Sequence, residues 1–175
     1  KKYPNHQNKD YAFYLKSICY YNQISSEKKD LGPIVETKKN FEYIINNYPE
    51  SEFALDAEYK LELINEILAS KEMYIARYYM EKEKWIPSIN RFKKVVKDYD
   101  NSIYVEEALF RLVEIHYRIG LEDEAKKYAH LLGYNYQSSQ WYENSYRIFN
   151  QKFKKKRIIK KNKSKSILEK IKSLL

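Results

Sequence analysis

The chain has 175 residues, with 33 lysines and arginines against 24 acids and a formal net charge of +9. Only 3 glycines and 4 prolines occur while 33% of residues are charged, a composition that suits long helices and lacks the turns an all-β fold needs. The lone cysteine, Cys19, excludes an internal disulfide and a cysteine metal cluster, and no apolar run reaches the roughly 18 residues that span a bilayer.

Residues 10–26 read as a helix, with Tyr11, Tyr14, Leu15, Ile18 and Tyr21 at three/four spacing on one face and Cys19 as a packed thiol. Asp30-Leu31-Gly32-Pro33 breaks it. Residues 34–48 form a return helix with Phe41, Ile44, Ile45 and Tyr48 on its inner face, and Ser51 is placed to cap the next helix. No proline or glycine interrupts Glu52 to Lys84, so one long helix or two nearly continuous ones are predicted, with Ser70 as the expected bend. Leu55, Tyr59, Leu61, Leu63, Ile64, Ile67 and Leu68 lead into Met73, Ile75, Ala76, Tyr79 and Met80. A second return helix covers 86–98, with Pro87 in its first turn. Helices over 104–119, ended by Gly120, then 122–133 and 139–149 complete the pattern.

A signature recurs through these elements. Copies begin at Tyr3, Tyr48, Tyr99 and Tyr136. Three positions on stand His6, Ser51, Ser102 and Ser139, and nine positions on stand Ala12, Ala57, Ala108 and Ser145. This spacing describes a helix end, a turn, an N-cap and a new helix whose small residue permits close packing. Counting back from the last three tyrosines, Thr37, Ser88 and Ala125 lie eleven residues upstream, Phe41, Phe92 and Ala129 seven, and Ile44, Val95 and Leu132 four. The order small, large, apolar, tyrosine resembles the second helix of a tetratricopeptide repeat. The expected fold class is all-α, a tetratricopeptide-like solenoid of antiparallel helix pairs, in which each hairpin buries its apolar face on the next.

Charge divides the chain differently. Residues 150–175 hold 11 basic residues and the single acid Glu169, so the other 149 are close to neutral. We therefore read 1–149 as the repeat domain, with its first repeat truncated, and 150–175 as a basic tail. Lys154, Lys155, Lys156 and Arg157 are candidates for contact with anionic lipid or an acidic neighbour. Ile167, Leu168, Ile171, Leu174 and Leu175 follow as a short amphipathic helical stripe. The tail lacks a base-reading module, so nucleic acid is not the expected partner.

Nothing in the sequence assembles a catalytic site. His6, His116 and His130 lack ligand spacing, and the acids Glu106-Glu107 and Glu122-Asp123-Glu124 sit in first helical turns, where they favour the helix dipole. No glycine loop cradles a phosphate. The chain is expected to be no enzyme and to use no cofactor or metal. The aromatic cluster Tyr11, Phe13, Tyr14, Tyr20 and Tyr21 exceeds what one buried face needs. It reads either as core with snorkelling tyrosines or as the lining of a groove for an extended peptide.

Several runs carry a closer resemblance: Lys71-Glu72-Met73-Tyr74-Ile75-Ala76-Arg77-Tyr78-Tyr79 with Trp85-Ile86-Pro87-Ser88-Ile89-Asn90-Arg91-Phe92, Glu107-Ala108-Leu109-Phe110-Arg111-Leu112-Val113-Glu114, and Gly133-Tyr134-Asn135-Tyr136 with Ser139-Gln140-Trp141-Tyr142. Together with the opening Tyr3-Pro4-Asn5-His6 and Asp10-Tyr11-Ala12, they resemble the BamD/ComL-type outer-membrane assembly lipoproteins in their alphaproteobacterial form, over residues 3–149. The resemblance implies a periplasmic scaffold of the β-barrel assembly machinery. Such a scaffold docks on BamA POTRA domains, on accessory lipoproteins and on unfolded outer-membrane protein precursors, and it is held at the outer membrane by an N-terminal lipid. Tyr117 and Arg118 match the family's Tyr-Arg at the BamA contact. Precursor recognition belongs to the N-terminal repeats, which puts Tyr11, Tyr14 and Tyr21 forward as candidates. The family's lipid-bearing cysteine and most of its first repeat are absent from this sequence, and Lys1-Lys2-Tyr3-Pro4 reads as the end of a helix already under way, so the native chain is expected to begin earlier. The alternative reading is a generic repeat adaptor with a basic membrane- or nucleic-acid-binding tail.

Overall fold

The computed structural model of the protein describes residues 8–24 and 32–150. Among them lie seven helices and no strand: α1 (Lys9–Tyr21), α2 (Gly32–Asn47), α3 (Glu52–Glu81), α4 (Trp85–Asp98), α5 (Val105–Arg118), α6 (Glu122–Asn135) and α7 (Gln140–Phe149). The architecture is the all-α, tetratricopeptide-like one. The first copy of the signature, at Tyr3 and His6, and the tail 151–175 lie outside the described residues. The chain divides into two compact units, the first ending at Val105 and the second starting at Glu106.

The three turns that follow α2, α4 and α6 are one structure repeated. The N–H of Tyr48, Tyr99 and Tyr136 donates to the carbonyl of Ile44, Val95 and Leu132, at 2.8, 3.1 and 2.9 Å. The tyrosine carbonyl then accepts from Ser51, Ser102 or Ser139 N–H, at 3.0, 2.9 and 3.1 Å. Each serine hydroxyl accepts from the new helix, from Phe53 N–H, Tyr104 N–H and Tyr142 N–H, and so satisfies one of the donors a helix start leaves open.

Packing follows the same register. Thr37, Ser88 and Ala125 are fully buried, as are Phe41 and Phe92, and Ile44, Val95 and Leu132. The small residues let a neighbouring axis come close. Ser88 uses that approach to donate from Oγ to the Ala76 carbonyl of α3 at 2.9 Å, so its hydroxyl is not left unpaired in the core. Ala57, Ala108 and Ser145 are likewise fully buried. Ala12, the equivalent in the first copy, is exposed instead.

In the first unit α1 pairs with α2, α2 with α3 and α3 with α4, and α1 also lies against the start of α3. Ile34, Phe41, Ile44, Ala54, Ala57 and Ile64 form the core, with Phe13, Tyr14, Ile18 and Tyr21 of α1 packed on it. In the second unit α6 packs on α7, and α5 reaches both, through the rings of His116 on Tyr128 and Phe110 on Trp141. Gly133 matters there: a Cβ at this position would come within 2.7 Å of the Tyr142 ring, so its absence lets that ring lie on α6.

The structure corrects details of this reading and, of the two alternatives for residues 52–84, shows the single long helix. Gly32 and Pro33 open α2 rather than separating helices, since proline needs no hydrogen-bond partner in a first turn. The helix α3 passes Ser70 unbroken for 30 residues, a length of about 45 Å. Its buried side runs through Ala54, Ala57, Ile64, Ala69, Met73 and Ala76, while Leu55, Tyr59 and Leu63 face outward. Cys19 is exposed rather than packed.

One ion cluster ties α3 to α4. Glu72 is nearly buried and receives Arg91 Nη1 at 2.8 Å and Lys94 Nζ at 2.6 Å. Burial pushes its carboxyl up, but the two charge-assisted hydrogen bonds outweigh this and hold it below the ordinary glutamate value. A lowered folded-state value stabilises the fold above the unfolded value, and that contribution disappears as pH falls through the folded one. Glu72→Gln should therefore cost roughly 1–2 kcal/mol at neutral pH, the two cations being partly solvated, and the variant and parent should converge in acid. Urea unfolding at pH 7 and at pH 3 tests this; an equal gap at both would contradict it.

The wedge residues give a larger effect. Phe92→Ala and Phe41→Ala should each lower stability by roughly 3–5 kcal/mol, read as a shift in the urea midpoint at unchanged slope. A loss below about 1 kcal/mol would show that these rings do not hold the hairpins together.

Candidate partner-binding surfaces

In the first unit α1 and α3 run parallel and side by side. Ser51 Oγ donates to Asp10 Oδ2 at 2.9 Å, Tyr11 lies on Phe53 with ring centroids 5.3 Å apart, and the Lys60 ammonium stands 5.9 Å from the Tyr21 ring centroid, so contacts advance in the same direction along both helices. The seam is polar. Tyr14 Oη donates to Asp56 Oδ2, and Lys60 Nζ donates to the other carboxylate oxygen at 2.7 Å. Burial, then the hydrogen bond to Asp56 and its charge, push the Tyr14 hydroxyl up to about 12.

The three candidate tyrosines of α1 therefore differ. Tyr14 is committed to Asp56 and to the Phe41 and Phe53 rings. Tyr21 is half-buried between Phe41 and Lys60. Tyr11 is 45% exposed beside the helix it stacks on. The neighbouring face of α3 continues outward with Leu55, Tyr59 and Leu63, which are 74%, 62% and 37% exposed. At a spacing of four residues these form one stripe along the helix. The sequence pattern groups all three with Ile64 and Met73, which are buried, and does not separate them from those two. The usable signal was the alanine row: Ala54 and Ala57 occupy the buried side, and Leu55, one residue on from Ala54, turns about 100° away.

Acids frame the stripe. Glu52, Glu58 and Glu62 are exposed beside it, and Glu66 at its end accepts from Ser102 Oγ at 2.8 Å and Ile103 N–H at 3.1 Å. Past Leu63 a hollow of about 400 Å³ opens, lined by Glu62, Glu66, Asp98 and Asp100 together with Asn65, Tyr99 and others.

The second unit holds a groove of about 520 Å³ between α6 and α7, lined by Lys126, His130, Tyr134, Tyr142, Tyr146 and Phe149 among others. Tyr117 and Arg118 are the last residues of α5 and both are exposed; the Tyr117 ring meets Phe149 edge-on at 5.5 Å, which brings the end of α5 to the groove's wall. His116 is buried, with Nδ1 2.7 Å from the Leu112 carbonyl, whereas His130 is exposed on the groove. Lys154, Lys155, Lys156 and Arg157 lie outside the described residues. No group of three or more His, Cys, Asp or Glu is placed to hold a metal among the described residues, and no described helix is long and apolar enough to cross a membrane.

Repeated, capped hairpins packed through small residues define the class of helical-repeat proteins. Comparison with known proteins narrows this. A family model described as an outer membrane lipoprotein, YfiO, matches residues 1–131. The chain is 44% identical over 138 residues to the outer membrane protein assembly factor BamD of Rickettsia prowazekii, covering 79% of this chain and 55% of that protein. It is 39% identical over 148 residues to BamD of Caulobacter vibrioides, covering 85% and 48%, and 32% identical over 126 residues to BamD of Neisseria gonorrhoeae, covering 66% and 47%. The chain thus belongs to the YfiO family of outer membrane lipoproteins, in the part of it that includes alphaproteobacterial members named BamD. It spans about half the length of these curated relatives.

Proposed function

We propose that this protein works by binding and not by chemistry, as a scaffold for the assembly of outer-membrane β-barrel proteins on the periplasmic side of the outer membrane. Family membership supports the setting, since the relatives it matches are named as assembly factors. The observation that carries the binding role is the exposed stripe Leu55, Tyr59 and Leu63 on α3, with Tyr11 exposed on the adjacent parallel α1. Large apolar groups at this exposure cost solvation in the isolated protein and gain it back when an apolar partner covers them. An unfolded barrel precursor offers such cover, because its lipid-facing residues are apolar and not yet buried.

In this reading the first unit receives precursors, and Tyr11 is the member of the original tyrosine set that contacts them directly. Tyr14 and Tyr21 hold α1 and α3 in register. The end of α5, with Tyr117 and Arg118, docks a BamA POTRA domain, where an arginine can pair with a carboxylate at the rim and set association rate and specificity. Accessory lipoproteins take other parts of the surface. Lys154, Lys155, Lys156 and Arg157 meet anionic headgroups, and an N-terminal lipid anchors the full-length protein.

Titration of the purified chain with a fluorescent fragment of an unfolded barrel precursor tests the main assignment. Leu55→Ser with Tyr59→Ser should weaken binding by about tenfold or more while leaving the helical circular-dichroism signal unchanged, because neither side chain supports the core. Arg118→Glu should leave that titration unaltered and instead weaken capture of a BamA POTRA fragment. Unchanged precursor affinity in the double variant would remove the α1/α3 face from the function.

A further inference from the structure

The charge around the α3 stripe carries more than its apolar area does. From Glu52 to Glu66 this helix has five acids, Glu52, Asp56, Glu58, Glu62 and Glu66, and one base, Lys60. That base is spent, held by Asp56 at 2.7 Å in the seam with α1. The outward side beside Leu55, Tyr59 and Leu63 therefore shows Glu52, Glu58 and Glu62 with no lysine or arginine of this stretch among them. The stripe then runs at Leu63 into the hollow whose walls carry Glu62, Glu66, Asp98 and Asp100. Glu66 is occupied by Ser102 and Ile103, which leaves Glu62, Asp98 and Asp100 exposed at the mouth.

We propose that this face selects its apolar ligands by charge, taking polypeptide segments whose leucine or aromatic anchors are flanked by lysine or arginine and rejecting those flanked by acids. This rests on the reading of the stripe as a binding surface and adds the chemistry of the ligand. The anchors cover Leu55, Tyr59 and Leu63, and a basic side chain placed one turn or one strand step beyond them reaches the hollow past Leu63. There it meets several carboxylates within a Debye length, about 8–10 Å at moderate salt. An acidic flank in the same position suffers like-charge repulsion, so the acid frame works as much by exclusion as by attraction. Unfolded chains offer many apolar stretches, and a charge filter sorts among them without a fixed sequence.

The test uses the full chain and three synthetic peptides with identical leucine and tyrosine anchors and four lysines, four glutamines or four glutamates in the flanks, measured by fluorescence anisotropy. The lysine peptide should bind about tenfold tighter than the glutamine peptide at low salt, and the gap should close near 0.5 M salt as screening sets in. Glu58→Gln with Glu62→Gln should shrink that gap severalfold and leave the glutamine peptide unchanged. Leu55→Ser with Tyr59→Ser should weaken both. Binding of the glutamate peptide that survives Leu55→Ser and Tyr59→Ser reports capture by the lysine-rich residues 152–165 and counts as selection against acids at the stripe. Equal, stripe-dependent affinity for all three peptides would overturn the charge filter while leaving the binding surface standing. Binding of none of them would overturn both.

Discussion

Helices can stack only as closely as their smallest contact residues allow, and everything else in this fold follows from that limit. Thr37, Ser88 and Ala125 sit at the same register in α2, α4 and α6 and are fully buried. In α2 and α4, Phe41 and Phe92 stand four residues further on, one turn away on the same face, and are sealed completely. A small residue that admits a neighbouring axis and an aromatic ring that fills the adjoining space form a pair. Each is costly without the other, as a clash or as a void. The Ser88 hydroxyl, bonded to the Ala76 carbonyl, shows how tight the contact between α3 and α4 is.

That economy explains why large side chains are left outside. On α3 the core is served by alanines at 54, 57, 69 and 76, with Ile64 and Met73 as the bulkier members. A helix packed through alanine lies close to its neighbours and has no buried room for Leu55 or Tyr59. Their outward placement is thus a consequence of the packing rule, and it turns one side of the first unit into a surface with apolar area and negative charge. The polar seam of Tyr14, Asp56 and Lys60 holds α1 at a set position beside it, so Tyr11 and the stripe keep a constant spacing.

Much of this was readable in advance, for a physical reason. Tyrosine turn, serine cap and buried small residue are local features, fixed by hydrogen bonds within a few residues, and Tyr48, Tyr99 and Tyr136 marked all three correctly. The inner faces of α2 and α4 were legible because their bulky residues are the buried ones. The outward face of α3 was not, because there the usual link between size and burial is reversed, and Leu55, Tyr59 and Leu63 mimic a core stripe. The turn from α3 to α4 was also silent. It uses Glu83 at φ 54°, with Lys84 N–H reaching back to the Tyr79 carbonyl, where the turn after α5 uses Gly120 at φ 83°. A non-glycine residue in that conformation leaves no mark in composition. Of the candidate site, Tyr11 is exposed and Tyr14 partly buried and bonded, a distinction that depends on Asp56, 42 positions away.

The central claim is that the outward face of α1 and α3 is where an unfolded barrel precursor lies. A photoreactive amino acid placed at Tyr59, with a second placement at Tyr134 of α6 for comparison, measures it directly, since both positions are well exposed. Irradiation with a precursor fragment should cross-link strongly from position 59 and weakly from position 134. Cross-linking from 134 alone, or none from 59 at saturating fragment, would contradict the account.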